Sequence, residues 1–122
     1  MKRGLLFSTD SMAGSVLPDF VQQVEQAGFD SLWLPELFGR DPFVAAGALL
    51  AASERLRVCT GIANVYARDA IATKGAALTL SELSGGRFEL GLGVSNKVGN
   101  RVRGHEWLPP LEKLDTFFTA ME

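Results

Sequence analysis

Apolar, strand-like runs recur in this chain at a nearly constant pitch, and each is followed by a helix-like segment. The step is 27 residues from Leu5 to Leu32, 26 from Leu32 to Val58 and 30 from Val58 to Phe88. So short a pitch holds one strand, one helix and two loops, which makes the units direct βα repeats with right-handed crossovers. Two α/β architectures accept four such units. One is a small open parallel sheet; the other is half of a TIM (β/α)8 barrel, for which about 250 residues is typical. The 122 residues suit one core, and residues 1–122 are read as a single domain.

Composition removes several classes of function. A 47% hydrophobic and 21% charged content is that of a globular chain, not a disordered one. The net charge of -2 gives no electrostatic case for nucleic acid or an anionic membrane as partner. No apolar run approaches the roughly 20 residues of a membrane span, and the apolar start is soon broken by Asp10, so it reads as a first strand. Cys59 is the only cysteine, which rules out an internal disulfide and makes a cytoplasmic home the expectation. Its apolar neighbours predict a buried small hydrophobe, not a nucleophile. His105, the only histidine, lies in a polar stretch, so no metal site is expected.

Local chemistry marks the elements in order. Leu5-Leu6-Phe7 is strand one, with Ser8-Thr9-Asp10 as its exit loop. Pro18 opens a helix with Leu17, Val21, Val24 and Ala27 at helical spacing, and Gly28 closes it. Strand two runs from Asp30 to Glu36; Pro35 ends regular pairing and leaves Glu36 at the strand's mouth. Asp41-Pro42 starts a helix that is apolar nearly all round from Phe43 to Ala52, and therefore buried. Strand three is Val58 to Tyr66, whose far half mixes glycine, small and polar residues. Asp69 caps a third helix through Leu83, with Ala72, Ala76, Leu80 and Leu83 on one face. Lys97 to Trp107 reads as a loop, and Pro109-Pro110 starts a fourth helix with a stripe of Leu111, Leu114, Phe118 and Met121.

Strand four lies in the most distinctive stretch, Gly85 to Ser95. Gly85-Gly86 supply the left-handed residues that end a helix. Phe88, Leu90, Leu92 and Val94 then form a short apolar run interrupted by Gly91 and Gly93. The glycines admit two readings, close approach by a ligand or room for packing. Ser95-Asn96 follow at the strand's carboxyl end, where α/β sheets bind ligands. A third glycine is missing for a dinucleotide fingerprint, and Lys97 stands outside any phosphate-loop pattern.

Three stretches together carry a family resemblance: Trp33-Leu34-Pro35-Glu36, Thr60 to Asp69, and Leu83 to Ser95. They resemble the luciferase-like monooxygenase superfamily, and most of all its actinobacterial deazaflavin (coenzyme F420) dependent oxidoreductases. The family fold is a complete (β/α)8 barrel, so the resemblance covers its amino-terminal half. It implies an oxidoreductase that transfers hydride between coenzyme F420 and a small organic substrate. FMN-dependent monooxygenation on the same scaffold, or a non-catalytic half-barrel module, are the alternatives. A four-stranded half barrel would leave strands one and four as open edges and one apolar face uncovered, so a homodimer or higher oligomer, or partnership with a separate chain supplying the other half, is expected.

Residue by residue, Gly61-Ile62 match the strand-three bulge that backs the tricyclic ring, often through a non-proline cis peptide. Asn64, Ser95 and Asn96 match polar positions lining the cofactor, Gly93 a small position against the ring, and Glu36 an acidic position at the end of strand two. Many relatives carry a histidine directly after that acid, where this chain has Leu37, so no catalytic residue is assigned. Glu36 is read either as a ring hydrogen-bond acceptor or as a salt-bridge partner of Arg40 or Arg68. Arg68, Lys97, Arg101 and Arg103 are placed to meet an anionic cofactor tail, or stand as solvated loop charges. Glu36, Asn64 and Ser95 are expected to converge at one mouth.

Overall fold

A computed structural model describes all residues, 1–122. The chain runs β1 (Gly4–Leu6), a 3-10 turn (Gly14–Val16), α1 (Leu17–Gln26), β2 (Ser31–Leu34), α2 (Pro42–Ala51), β3 (Arg57–Thr60), β4 (Ala63–Asn64), α3 (Ala70–Leu83), β5 (Phe88–Glu89), β6 (Leu92–Gly93), α4 (Lys97–Val102) and α5 (Pro110–Met121). Strands β1, β2, β3 and β5 pair in parallel in that order, with Leu5, Leu32, Val58 and Phe88 in one row. A short parallel pair, β4 with β6, lies further along the same two chain segments.

Strand order settles the architecture that composition left open. A doubly wound open sheet reverses its strand order at a switch point. Here the order never reverses, so successive right-handed crossovers advance one way and place their helices on one face. That is the arrangement of a barrel arc. On the helix side Leu32, Leu34, Val58 and Phe88 are buried against Val21 and Val24 of α1, Phe43, Ala46 and Leu49 of α2, and Leu80 of α3. The opposite row, Leu6, Trp33, Cys59 and Glu89, carries no helix, and Leu6 remains 65% exposed.

The strands are shorter than their apolar runs. Strand three breaks between β3 and β4 at Gly61–Ile62, whose peptide bond is cis. Strand four breaks at Leu90–Gly91, where Thr60 Oγ1 accepts from Gly91 N and donates to Gly91 O, both at 2.8 Å. A Cβ on Gly91 would collide with the Thr60 carbonyl oxygen, so this glycine serves close backbone approach within the protein.

Four expectations on helices need correction. The stretch from Lys97 to Trp107 is not all loop, since α4 occupies its first half. Asn96 accepts from Gly99 N at 2.7 Å as its cap, and Gly104, at φ +83°, follows its end. In α3 the buried residues are Ala70, Thr73 and Leu80, while Ala72 is exposed and Leu83 is 78% exposed. The helix is rolled because α5 packs on it from one side and α2 from the other. In α5 the inward stripe is Leu114, Phe117 and Met121 around Val65 and Ala70; Leu111 and Phe118 face solvent. Ala27, expected on the apolar face of α1, is its exposed C-cap, and Gly28 beyond it has φ +84°.

A carboxylate closes the turn ahead of β3. Glu25 on α1 accepts from the backbone N–H groups of Glu54, Arg55 and Leu56, the first at 3.0 Å and the last at 3.3 Å. Burial pushes its pKa up, but the three N–H donors and the Arg55 charge outweigh this and leave it below its ordinary 4.5. A depressed carboxylate stabilises the fold in full above its unfolded pKa and loses that contribution as pH falls through the folded value. Wild type is therefore expected to lose stability on acidification from about pH 5 downward. Glu25→Gln should be less stable at neutral pH and show a flatter acid profile in urea unfolding followed by circular dichroism. Parallel profiles would show that the three donors do not favour the ionised form.

Candidate functional site

The carboxyl ends of β2, β4 and β6 hold the polar residues of the chain that have chemical potential. Glu36 follows β2 directly after Pro35, and its own N–H donates to Ile62 O at 3.2 Å. Its carboxylate is 5% exposed. Oε2 accepts from Asn64 N at 2.9 Å and Arg68 Nη1 at 3.0 Å, and Oε1 accepts from Arg68 Nη2 at 3.1 Å. Arg68 Nη2 also reaches Asp41 Oδ2 at 2.9 Å, and the guanidinium lies 4.5 Å from the centre of the Phe43 ring. Of the two salt-bridge partners open to Glu36, Arg68 is the one used. Arg40 donates instead to the carbonyls of Thr9 and Met12, at 2.7 Å each. Burial raises the Asp41 pKa, but the Val44 N–H and the Arg68 charge offset it, and the carboxyl is held below its ordinary range.

Asn64 is buried and its amide is fully engaged: Oδ1 accepts from Tyr66 N at 2.9 Å and Nδ2 donates to Asn100 Oδ1 at 2.8 Å. Asn100, on α4, has no exposed surface and donates from Nδ2 to Val94 O at 2.7 Å. It ties the end of β4 to the chain leaving β6. Sequence reading passed over it, because a buried amide in a stretch with no apolar period leaves no pattern. The caps of α4 were the only signal.

The expected site residues thus fall into three sets. Glu36 and Asn64 meet through the Asn64 N–H, and both turn their side chains into protein partners, not toward an open mouth. Gly61, Ile62 and Gly93 form a ledge on the inner side of the sheet. Gly61 N donates to Leu34 O at 2.8 Å, and a Cβ on Gly61 would stand 3.2 Å from Trp33 Cε3. A Cβ on Gly93 would stand 2.8 Å from the Ile62 side chain. Both glycines therefore make room for side chains of this chain. Ser95, left-handed at φ +59°, and Asn96 lie exposed on the rim after β6.

Of the loop cations, Arg103 donates to the Leu37 carbonyl, stacks on Phe38 at 5.5 Å and approaches Glu36 at 4.0 Å. It lines, with Arg68, Glu36 and Phe38, a cleft of about 220 Å³. Lys97 and Arg101 are solvated on α4. Cys59 has no exposed surface; burial first, and then the Glu89 carboxylate, push its thiol to about 11, so it is no nucleophile. No group of three or more metal-ligating side chains is present, and no helix is long and apolar enough to cross a membrane.

A parallel arc with helices on one side and a polar knot at its carboxyl ends defines part of a TIM-barrel type of enzyme fold. Residues 3–120 match the luciferase-like monooxygenase family, and the chain belongs to it. It is 32% identical over 93 residues to a 5,10-methylenetetrahydromethanopterin reductase of Methanolobus tindarius, covering 75% of this chain and 28% of that one. Among solved structures, the coenzyme F420 dependent tetrahydromethanopterin reductase of Methanopyrus kandleri superposes with a TM-score of 0.85 at 17% identity, over 98% of this chain and 39% of that chain. The oxygenating constituent of 3,6-diketocamphane monooxygenase from Pseudomonas putida, in complex with FMN, gives 0.84 at 15% identity, over 100% and 39%. The chain thus spans well under half the length of these relatives.

Proposed function

We propose that this chain supplies the ring-binding ledge of an oxidoreductase that uses deazaflavin coenzyme F420 to reduce or oxidise a small organic substrate. The observation that carries this reading is the exposed apolar shelf at the strands' carboxyl ends. Leu6 and Trp33 stand open on the inner face, the half-buried Gly61 lies against the side chains of both with half-buried Ile62 after it, and exposed Ser95 and Asn96 follow β6 at the same end of the sheet. An apolar surface with polar groups beside it is the kind of lining that a flat ring system takes. Glu36 and Asn64 fit less well as direct ligands, since their side chains already have partners; they hold the shelf in place.

When bound, the deazaflavin supplies hydride chemistry, and the protein supplies orientation and a dry surface. Ile62, seated on Gly93, keeps water from one face of the shelf. Ser95 offers its hydroxyl and Asn96 its Nδ2 group to the ring's polar edge, while Asn96 Oδ1 stays on the cap of α4. Assembly with a second copy or with a chain supplying further barrel strands is part of the same reading. FMN presents the same ring outline and is the competing cofactor.

Titration of the chain with coenzyme F420 and with FMN, followed by absorbance and fluorescence, tests the reading. Saturable binding of coenzyme F420 is expected. Gly61→Val should weaken it by tenfold or more, because the branched side chain displaces Trp33 from the shelf, while circular dichroism shows the fold retained. Preference for FMN would turn the assignment to flavin chemistry. Binding of neither would leave the chain as a family scaffold without the reaction.

A further inference from the structure

Ser95 is the one residue other than glycine with a left-handed backbone, at φ +59°. A residue that carries a side chain keeps this conformation only where its surroundings enforce it, and such residues cluster at functional sites. Ser95 is exposed and lies outside every helix and strand, so no regular element does the enforcing.

A relay of two buried amides does it instead. Backbone groups that can act in only one way fix the direction of the relay at both ends. The Tyr66 N–H can only donate, and it takes Asn64 Oδ1 at 2.9 Å. Asn64 is left to present Nδ2 to Asn100, whose Oδ1 accepts it at 2.8 Å. Asn100 is left with Nδ2, which donates to the Val94 carbonyl at 2.7 Å. Because a peptide unit is planar, holding Val94 O also holds the plane that carries Ser95 N. On the other side of Ser95, Asn96 is anchored to α4: its carbonyl accepts from Asn100 N at 3.1 Å and its Oδ1 from Gly99 N at 2.7 Å. Ser95 therefore stands between two fixed neighbours, and Asn100 reaches both.

We propose that Asn100 is a positioning residue for the ring site: through the Val94 carbonyl it holds Ser95 left-handed and aims the serine hydroxyl at the ring's polar edge. The inference rests on the ring-binding reading above. Asn100 has no exposed surface and acts only through Ser95. The relay also joins the Glu36 knot, since Glu36 Oε2 accepts from Asn64 N at 2.9 Å, so the ends of β2, β4 and β6 are set as one unit.

The test begins on the ligand-free protein. Asn100→Asp keeps the shape and still accepts from Asn64, but its second carboxylate oxygen has no proton to give the Val94 carbonyl. The backbone chemical shifts and couplings of Ser95 should show the left-handed conformation in wild type and lose it in Asn100→Asp, with circular dichroism unchanged. If Asn100→Asp fails to fold, Asn100→Ser, uncharged and too short to bridge the two groups, takes its place. Whichever of coenzyme F420 and FMN wild type binds is then titrated against wild type, Asn100→Asp, Ser95→Gly and the double variant. Ser95→Gly deletes the hydroxyl and leaves the left-handed backbone open. Each single change should weaken binding roughly threefold to tenfold, the worth of about one hydrogen bond. Since Asn100 acts through Ser95, the double variant should bind within about twofold of the weaker single variant. Losses that multiply, or a left-handed Ser95 that survives Asn100→Asp, overturn the positioning role and leave the ring site standing. Binding of neither coenzyme by wild type overturns the ring site itself, and the positioning role falls with it.

Discussion

Arg68→Met should cost about 3 kcal/mol of folding stability, because it strands a buried carboxylate. The Glu36 side chain is 5% exposed, and two of its contacts come from the Arg68 guanidinium. Without that cation the carboxylate keeps the Asn64 N–H at 2.9 Å and a distant Arg103 at 4.0 Å. Methionine retains much of the stem that lies over Phe43 but neutralises nothing. Breaking one partner of a buried pair is the costly case; removing both is milder. Glu36→Gln with Arg68→Met should therefore recover a large part of the loss. Urea unfolding followed by circular dichroism on the two variants and wild type measures this. A loss under about 1 kcal/mol for Arg68→Met would place the pair among exposed ion pairs, which contribute little.

That ion pair also shows how far sequence reading reaches. Pro35 locates the end of β2, so Glu36 at the strand's mouth follows from local chemistry alone. The direction of its side chain does not, because it depends on Arg68, 32 residues further along the chain. The βα pitch, the Asp41 and Asp69 caps and the Gly85-Gly86 stop were legible for the same local reason: each acts within a few residues. Strand order was not legible in pitch or composition, which do not encode whether successive crossovers continue or reverse; the family resemblance of Trp33–Glu36, Thr60–Asp69 and Leu83–Ser95 pointed to the barrel arc, and the unreversed order bears it out.

Helix faces were legible only where the stripe was strong. In α1, Leu17, Val21 and Val24 are buried as their spacing says. In α5 two apolar stripes overlap, one through Leu111 and Phe118 and one through Leu114, Phe117 and Met121. The pocket between Val65 and Ala70 selects the second. The site shows the same division. Gly61 and Gly93 read as openings for a ligand, yet each also makes space for a nearby side chain, Trp33 or Ile62. A glycine marks close approach, and only the fold says by what.

Arg87 carries the last expected effect, and it follows from a count of donors. It comes directly after the Gly85-Gly86 turn, and every guanidinium nitrogen is engaged. Nε donates to Ser84 O at 3.0 Å. Nη1 donates to Ser53 Oγ and Leu56 O, both at 3.0 Å, and Nη2 to Leu50 O at 2.9 Å and Ser53 O at 3.3 Å. Leu50 lies in the last turn of α2, where carbonyls lack helical partners and a cation is favoured. One side chain thus satisfies the end of α2, the turn into β3 and the turn into β5. Arg87→Ala leaves several carbonyls without that donor and should cost about 3–4 kcal/mol. Lysine keeps the charge but lacks the planar fork, so Arg87→Lys should recover less than half of the loss. The comparison is again urea unfolding, read at the midpoint with unchanged slope. If lysine restores wild-type stability, charge at the helix end is sufficient and the five-fold clamp is not what holds these turns together.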